Sequence, residues 1–197
     1  MNIFFTSDQH FGHSNIINLC SRPFKDVDEM NEALVDNYNA VVGPKDFVYH
    51  LGDFALGKIH TSLAHGRRLN GRKALIVGNH DRCFAGGKKS GGKTPQEWES
   101  VYRDEAGFSH LDTGDVDVYL RGMNLRLSHF PPVSVFSDDV RHIEARPEAP
   151  SSGLLLHGHV HTEWKTQGQW VNVGVDAWGM RPVSLDEIHE YYEEVVE

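Results

Sequence analysis

The chain has 197 residues, of which 39% are hydrophobic and 24% are charged, and its formal net charge is −9 at pH 7. This composition excludes a disordered chain, and no apolar run approaches the roughly 18 residues that a membrane-spanning helix needs. The length predicts a single domain over residues 1–197, because one domain usually holds about 100 to 200 residues.

The acidic charge and the few cysteines narrow the function classes further. An extended nucleic-acid-binding surface is not expected, because it would need clustered Lys and Arg. Cys20 and Cys83 are too few for a disulfide framework and form no Cys-x-x-Cys motif, so we expect free thiols in a reducing compartment. The segment from Met1 to Phe5 lacks the basic start and the apolar core of a signal peptide, and we expect a cytoplasmic protein. These features do not predict an oligomeric state.

The first half of the chain alternates between predicted strands and predicted helices. Short runs of apolar residues that favour β-structure predict buried strands at residues 2–6, 46–50 and 73–77. Helices are predicted at residues 14–20, 26–42 and 58–70. The clearest of them is 26–42, where apolar residues recur at three- and four-residue steps. The alternation predicts an α/β fold in which helices cover a sheet.

The second half is richer in strands, which are predicted at residues 108–111, 116–120, 125–128, 154–157 and 169–175. A helix over residues 94–106 begins with the capping box Thr94-Pro95-Gln96-Glu97. Residues 137–149 are predicted to form a loop with helical turns. A final helix begins with a second capping box at Ser184, and its predicted core face consists of Leu185, Ile188, Tyr192 and Val195.

The segment 82–93 holds four Gly and four basic residues and no acid. Within it, residues 87–94 match the phosphate-loop pattern G-x-x-x-x-G-K-[ST]. A phosphate loop joins a buried strand directly to a buried helix, whereas the strand at 73–77 already runs into residues 78–81. The capping box at Thr94 explains the end of the match without a nucleotide. We therefore expect either a basic flap over the site or a plain flexible loop.

Side chains that can bind metal ions follow several of the predicted strands. In an open α/β sheet, loops converge beyond the carboxyl ends of the strands, and ligands bind there. The seven side chains are Asp8, His10, Asp53, Asn79, His129, His159 and His161. Their oxygen and nitrogen donors suit Mn, Fe, Zn, Ni or Co, and they are too many for one ion that must also hold a substrate. The sequence therefore predicts two ions, an arrangement that suits the cleavage of phosphate esters.

Five ordered blocks resemble the motifs of the calcineurin-like metallophosphoesterases. The blocks are Asp8-x-His10, Gly52-Asp53, Gly78-Asn79-His80-Asp81, His129 and Gly158-His159-x-His161. The smaller bacterial and phage phosphoesterases of that family look most similar, through residues 11–13, 48–54 and 172–176. The resemblance implies the fold of that family, an α/β fold built as an αββα sandwich of two mixed β-sheets flanked by helices.

The resemblance also implies roles for individual residues. Two divalent or trivalent ions are implied, with Mn as the expected ion and Fe, Zn, Ni or Co as alternatives. One ion is held by Asp8, His10 and His161, the other by Asn79, His129 and His159, and Asp53 bridges both. His80 is implied to be the general acid that protonates the leaving oxygen, with Asp81 fixing its ring, while a metal-bridging hydroxide attacks phosphorus.

The implied activity is the hydrolysis of phosphate esters, with a preference for phosphodiesters or nucleotide-type substrates. The basic contacts that the family adds for its substrates are not identified by any motif, so His13, Arg22 and Arg82 are candidates only. Two alternatives stay open at this point. The same site could serve a phosphomonoesterase or a protein phosphatase, or the chain could be a non-catalytic metal-binding module.

Four further residues near the blocks have less certain roles. His50 fits either a half-buried strand position or a supporting contact to the site, and His157 fits either that support or a packed core position. Asn172 and Asp176 are expected at the rim of the site.

Overall fold

The computed structural model describes residues 1–86, 91–132 and 142–196 and contains two five-stranded sheets. The first sheet has the strand order β10-β1-β2-β3-β4, and its strands are β1 (Ile3–Thr6), β2 (Phe47–His50), β3 (Arg72–Ile76), β4 (Phe108–Asp112) and β10 (Val183–Ser184). The second has the order β5-β6-β7-β9-β8, and its strands are β5 (Val116–Leu120), β6 (Met123–Leu127), β7 (Leu154–His157), β8 (Thr166–Gln167) and β9 (Trp170–Asn172).

Both sheets are mixed, and their central strands are parallel. In the first sheet, β1, β2, β3 and β4 are parallel and β10 pairs antiparallel with β1. In the second, β6, β7 and β9 are parallel, while β5 and β8 are antiparallel to their neighbours. The carboxyl ends of parallel strands lie at the same edge of a sheet, so the loops that carry the predicted metal ligands leave each sheet on one side.

Five α-helices accompany the sheets within the described residues: α1 (Ser14–Leu19), α2 (Val27–Val41), α3 (Ile59–Leu63), α4 (Pro95–Val101) and α5 (Leu185–Val196). The capping box predicted at Thr94 is present, which confirms that the end of the phosphate-loop match is a helix cap. Residues 87–90 lie outside the described part of the chain, so the nature of the basic segment stays a prediction. None of the helices in the described ranges combines the length and the apolar character needed to cross a membrane.

The core consists of two clusters, one on each side of the first sheet. Phe4 packs in a cluster with residues of α2 such as Leu34, whereas Phe5 packs in a cluster with Leu125 and Leu156 of the second sheet. Neighbouring residues of a strand point to opposite faces, which is why Phe4 and Phe5 divide between the two clusters. The second cluster joins the two sheets face to face.

Several predicted elements differ in the structure. The helix expected over 58–70 is α-helical only to Leu63 and continues as a 3₁₀ turn over Ala64–Arg68, where Gly66 packs so tightly that a Cβ would lie 2.5 Å from the Ala106 carbonyl oxygen. The strand expected over 169–175 is limited to β9, because the chain turns at Val175–Ala177. Val195 is exposed rather than part of the core face of α5.

The loop expected over 137–149 is only partly covered. Residues 137–141 lie outside the described residues, and Ile143–Ala145 forms a short 3₁₀ turn.

Candidate metal centre

The loops that leave the parallel strands are joined to one another by backbone hydrogen bonds. In the first sheet, Asp8 N–H donates to the Gly52 carbonyl and His10 N–H donates to the Asp53 carbonyl, both at 3.0 Å. In the second, Gly158 N–H donates to the His129 carbonyl at 3.0 Å. The sheets meet where Val175 N–H donates to the Ser7 carbonyl, also at 3.0 Å. The site is therefore built across both sheets, with ligands from either side.

Most of the predicted ligands have a strained backbone. Five of them have positive φ angles: Asp8 (60°), His10 (53°), Asp53 (55°), His159 (73°) and His161 (48°). Non-glycine residues adopt this region rarely, and each such residue costs about 1–3 kcal/mol unless the surrounding structure holds it in place. Such strain concentrates at functional sites, because there a required side-chain direction outweighs the cost.

The first group of ligand atoms comes from Asp8, His10 and His161, whose donor atoms all lie within 4.8 Å of one another. The Asp8 Oδ1 atom is 4.0 Å from His10 Nε2 and 3.9 Å from His161 Nε2. His10 is 1% exposed, and neither of its ring nitrogens has a hydrogen-bond partner among the described residues. Burial lowers the pKa of His10 well below its usual value, so the ring is neutral and offers a lone pair. A buried polar group without a partner requires an explanation, and a bound cation supplies one.

A second group of ligand atoms surrounds His129. Its Nδ1 is 2.8 Å from the Leu51 carbonyl oxygen, which can only accept, so Nδ1 carries the hydrogen. Burial lowers the pKa of His129, so the ring is neutral and Nε2 presents a lone pair. That atom lies 3.0 Å from Asn79 Oδ1 and 3.5 Å from Asp53 Oδ2. Three acceptors that point at one another repel unless a cation lies among them.

Asp53 lies between the two groups. Its Oδ2 atom is 3.6 Å from His10 Nε2 and 3.5 Å from His129 Nε2. Its Oδ1 atom accepts a hydrogen bond of 2.9 Å from the His80 backbone N–H. Burial raises the pKa of both Asp53 and Asp8, because removal from water disfavours the charged carboxylates more than the nearby histidines favour them. Cations among these groups would supply further positive charge.

The remaining predicted ligand, His159, completes the convergence. The His159 backbone N–H donates to both carboxylate oxygens of Asp8, at 3.2 and 3.0 Å. The His159 ring lies edge-on to the His129 ring, with 5.2 Å between ring centres. All seven predicted ligands thus lie in one region, four from loops of the first sheet and three from loops of the second.

His161 is held by a partly buried ion pair with Asp176, a contact that the sequence did not predict. Its Nδ1 lies 2.8 Å from Asp176 Oδ2, and Asp176 in turn accepts two hydrogen bonds from Arg22, at 2.8 and 2.9 Å. Burial raises the pKa of Asp176, but the hydrogen bonds from His161 and Arg22 outweigh it and lower that pKa. Asp176 therefore orients the ring of His161 so that Nε2 faces Asp8.

The placement of Arg22 differs from the expectation that it contacts substrate. The residue is 4% exposed, and its remaining N–H groups donate to the backbone carbonyls of Asp8 and Gln9 and approach the sulfur of Met30. All of its donors are thereby engaged within the protein. Arg22 instead fixes the loop after β1 and the Asp176 carboxylate.

Asp81 also has a different position from the expected one. Its carboxylate accepts hydrogen bonds from the backbone N–H groups of Asp53, Phe54 and Gly78, at 2.9, 3.0 and 2.9 Å, and from the Tyr102 hydroxyl at 3.3 Å. These four bonds use both oxygens. Asp81 therefore joins the loops after β2 and β3 and does not orient the His80 ring. Burial raises the pKa of Asp81 to about 6, and the nearby Asp53 carboxylate adds to the shift.

Two of the other three site candidates, His13 and His80, lie beside His10. His80 is exposed, and its ring centre is 5.4 Å from that of His10. His13 is half-buried, with its ring centre 5.3 Å from that of His10. Arg82 places its guanidinium carbon 6.0 Å from the centre of the Trp98 ring. The structure thus brings His13 and His80 to the predicted ligands and packs Arg82 on an aromatic side chain.

The residues with uncertain roles lie in the interior. His50 is fully buried rather than half-buried and packs against the rings of Tyr38, Phe54 and Phe108. His157 is a packed, hydrogen-bonded core residue with its Nδ1 2.7 Å from the Gly158 carbonyl oxygen.

Asn172 is buried and does not line the rim. Its amide donates to the backbone carbonyls of His161 and Trp164, at 2.9 and 2.8 Å. It therefore fixes the turn that carries His161.

Three predicted ligands directly follow a glycine that has no room for a side chain. A Cβ on Gly52 would lie 2.6 Å from the Cα of Gly78, and a Cβ on Gly78 would overlap the Asp53 carboxylate. A Cβ on Gly158 would overlap Ser7 Oγ and the carboxylate of Asp8. These glycines let the backbone approach close enough for the ligands to converge.

Replacing Gly158 with alanine is expected to weaken metal binding about 10- to 100-fold, because the new methyl group must displace Asp8. Overpacking of this kind costs about 1–3 kcal/mol of stability, so the variant should still fold. Gly114→Ala is the matched control, since no atom lies within 4 Å of its added Cβ. Isothermal titration of both variants with Mn²⁺ measures the effect, and equal affinities would contradict it.

Comparisons with known proteins place the chain among a group of relatives. No family model matches it. The uncharacterized protein MJ1445 of Methanocaldococcus jannaschii is 49% identical over 193 residues, covering 93% of this chain and 87% of that protein. The gene 66 protein of Mycobacterium phage L5 is 32% identical over 203 residues, covering 96% of this chain and 93% of that protein.

One solved structure has a similar fold over almost the whole chain. The protein of unknown function AQ665 from Aquifex aeolicus superposes with a TM-score of 0.67 at 26% identity, covering 96% of this chain and 98% of that one. An archaeal phosphodiesterase reaches a TM-score of only 0.44 at 16% identity, over 88% of this chain and 82% of that one. On the sequence identity and coverage of its relatives, the chain belongs to the family that contains MJ1445 and the gene 66 protein of phage L5.

Proposed function

We propose that this protein is a metal-dependent phosphoesterase of the calcineurin-like type, which hydrolyses phosphodiesters or nucleotide-type phosphate esters. The observation that carries the proposal is the convergence of imidazole nitrogens and carboxylate or amide oxygens around Asp53, with His10 buried and without a hydrogen-bond partner among the described residues. Two mixed sheets with helices are compatible with the αββα sandwich of that family.

The donor set fits two ions. Asp8, His10 and His161 would hold one, Asn79, His129 and His159 the other, and Asp53 would contact both. Burial lowers the pKa of His161, but the carboxylates of Asp8 and Asp176 outweigh burial and raise it to about 11. The site therefore already favours a positive charge at Nε2 of His161, and a cation would replace that proton. When bound, the ions would supply Lewis acidity that activates water and neutralises charge on the phosphate oxygens.

The protein's own side chains would perform the remaining steps. His80 is exposed beside His10, and its backbone is held by Asp53, so its ring can reach the leaving oxygen of a bound ester and donate a proton. His13 also packs against His10, with 5.3 Å between ring centres, and would contact the phosphate group. Asp81 would act indirectly, by holding the loop of His80 against the loop of Asp53.

Reconstitution with single metals tests the proposal. Protein freed of metal by chelation is loaded in separate samples with Mn, Fe, Zn, Ni or Co, and bound metal is counted by elemental analysis. We expect two ions for each chain, with Mn giving activity. Turnover of bis-p-nitrophenyl phosphate above that of p-nitrophenyl phosphate would support a phosphodiesterase, and the reverse order would support a phosphomonoesterase. Protein that binds none of the five metals would overturn the proposal and favour a non-catalytic role.

A further inference from the structure

A second cluster of metal-binding side chains lies behind His161. Cys20 follows α1 as its C-terminal cap and is partly buried. Its sulfur, a ring nitrogen of His161 and a carboxylate oxygen of Asp176 all lie within 4.8 Å of one another. These three residues combine sulfur, nitrogen and oxygen donors in one place.

The thiol distinguishes this cluster from the seven predicted ligands, which offer only oxygen and nitrogen. Thiolate ligands select soft or borderline ions such as Zn²⁺ or Cd²⁺ over hard ions such as Mg²⁺ or Mn²⁺. A tetrahedral zinc ion holds sulfur at about 2.3 Å and nitrogen or oxygen at about 2.0–2.2 Å. Donor atoms that are already neighbours can therefore close around one ion after small side-chain rotations.

We propose that Cys20, the Nδ1 atom of His161 and the Asp176 carboxylate form a separate site for a soft divalent ion, and that an ion bound there inhibits the protein. The ion replaces the Cys20 thiol proton and the Nδ1 proton that now bonds to Asp176 at 2.8 Å. The thiol proton and the Nδ1 proton leave, Nε2 of His161 carries the one remaining ring hydrogen so that the imidazole stays neutral, and no electron is transferred.

The inhibition follows because both sites would use the imidazole of His161. The inhibition rests on the proposed function, whereas the ion site at Cys20 does not. The Nε2 atom of His161 faces Asp8 at 3.9 Å, whereas Nδ1 faces Asp176. A neutral imidazole has only one lone-pair nitrogen, so His161 cannot bind an ion at Nδ1 and another at Nε2 at the same time. An ion at Cys20 therefore removes His161 from the centre that contains Asp8 and His10.

The chain contains a matched control for the thiol. Cys83 is fully buried, and burial raises the pKa of its thiol far above the usual value, so it should not form a thiolate for an added ion. The variants Cys20→Ala and Cys83→Ala each leave one thiol. A thiolate signal that is present in Cys83→Ala and absent in Cys20→Ala can therefore be assigned to Cys20.

The test is a Cd²⁺ titration of wild type, Cys20→Ala and Cys83→Ala, followed by the ultraviolet charge-transfer absorption of cadmium thiolate. We expect this band in wild type and Cys83→Ala and its loss in Cys20→Ala. A band that persists in Cys20→Ala, or Cd²⁺ binding to wild type without a band, would overturn the site. This readout needs no enzymatic activity, so it holds whether or not the phosphoesterase proposal is correct.

The inhibition is tested in the Mn-loaded protein with bis-p-nitrophenyl phosphate. Cys20→Ala should need about 10- to 100-fold more Cd²⁺ for half-inhibition than wild type, since loss of a supporting group costs a metal site about that factor. Equal inhibition of both would place the inhibitory ion at the main centre and refute the link through His161.

Discussion

Replacing Asp53 with alanine is expected to abolish both metal binding and phosphoesterase activity. The reason is geometric, because Asp53 Oδ2 lies 3.6 Å from His10 Nε2 and 3.5 Å from His129 Nε2 and so contacts both groups of ligands. Elemental analysis after Mn²⁺ loading, together with turnover of bis-p-nitrophenyl phosphate, measures the loss.

The unfolding temperature of the Asp53→Ala variant shows whether the substitution removes only the metal site or unfolds the protein. Asp53 is buried near Asp8 and Asp81, so its removal relieves repulsion between carboxylates in the metal-free protein. We expect the metal-free variant to unfold at a temperature no lower than that of the metal-free wild type. Added Mn²⁺ should raise the unfolding temperature of wild type only, since an ion stabilises only a protein that binds it.

Two further variants serve as controls for this experiment. Asp28→Ala removes an exposed carboxylate on α2 and should change neither metal content nor turnover. Lys93→Ala tests a nucleotide-binding loop and should retain activity. An Asp53→Ala protein that binds two ions, or a Lys93→Ala protein that loses activity, would show that the chemistry lies elsewhere.

The His80→Ala variant is expected to keep its metal ions and lose about 10²- to 10⁴-fold in turnover, the usual contribution of a general acid. His80 makes its hydrogen bond to the predicted ligand Asp53 through its backbone N–H, which alanine retains, and its ring stands exposed beside His10. The loss should be larger for an alkyl phosphodiester than for a p-nitrophenyl ester, because nitrophenolate leaves without needing a proton.

This dependence on the leaving group distinguishes acid catalysis from a structural effect. His60→Ala is the matched control, because its side chain is also exposed and lies away from the site in a pair with Glu105. Equal losses for both esters would mean that His80 does not donate the proton. Loss of metal in His80→Ala would mean that it supports the ligands instead.

The sequence was sufficient to predict the strands that precede the ligands and the convergence of those ligands. The strands β1, β2, β3, β6 and β7 have clear apolar patterns, and polar ligands follow each of them directly. The convergence of the ligands then follows from parallel strands, whose carboxyl ends lie together. The glycines before Asp53, Asn79 and His159 could be recognised in the sequence as parts of the motifs. Their steric role, which is to leave room where a Cβ would clash, became clear only from the structure.

Contacts between distant segments could not be predicted in the same way. Arg22 and Asp176 are 154 positions apart, and a single sequence has no local pattern that pairs them. Asp81 follows His80, so a contact with its neighbour was the natural expectation, whereas its carboxylate bonds to the backbone of Asp53 and Phe54. The change from α-helix to 3₁₀ turn after Leu63 depends on close packing of Gly66 against Ala106, which helix propensity does not encode.

The seven ligands are divided between the two sheets, and this division links metal binding to the stability of the whole molecule. Asp8, His10, Asp53 and Asn79 belong to one sheet, and His129, His159 and His161 belong to the other. Ions bound among them would cross-link the layers much as a disulfide joins two segments of a chain. Resistance to heat and to proteolysis would then depend on the supply of metal in the surroundings as well as on the packing of the core.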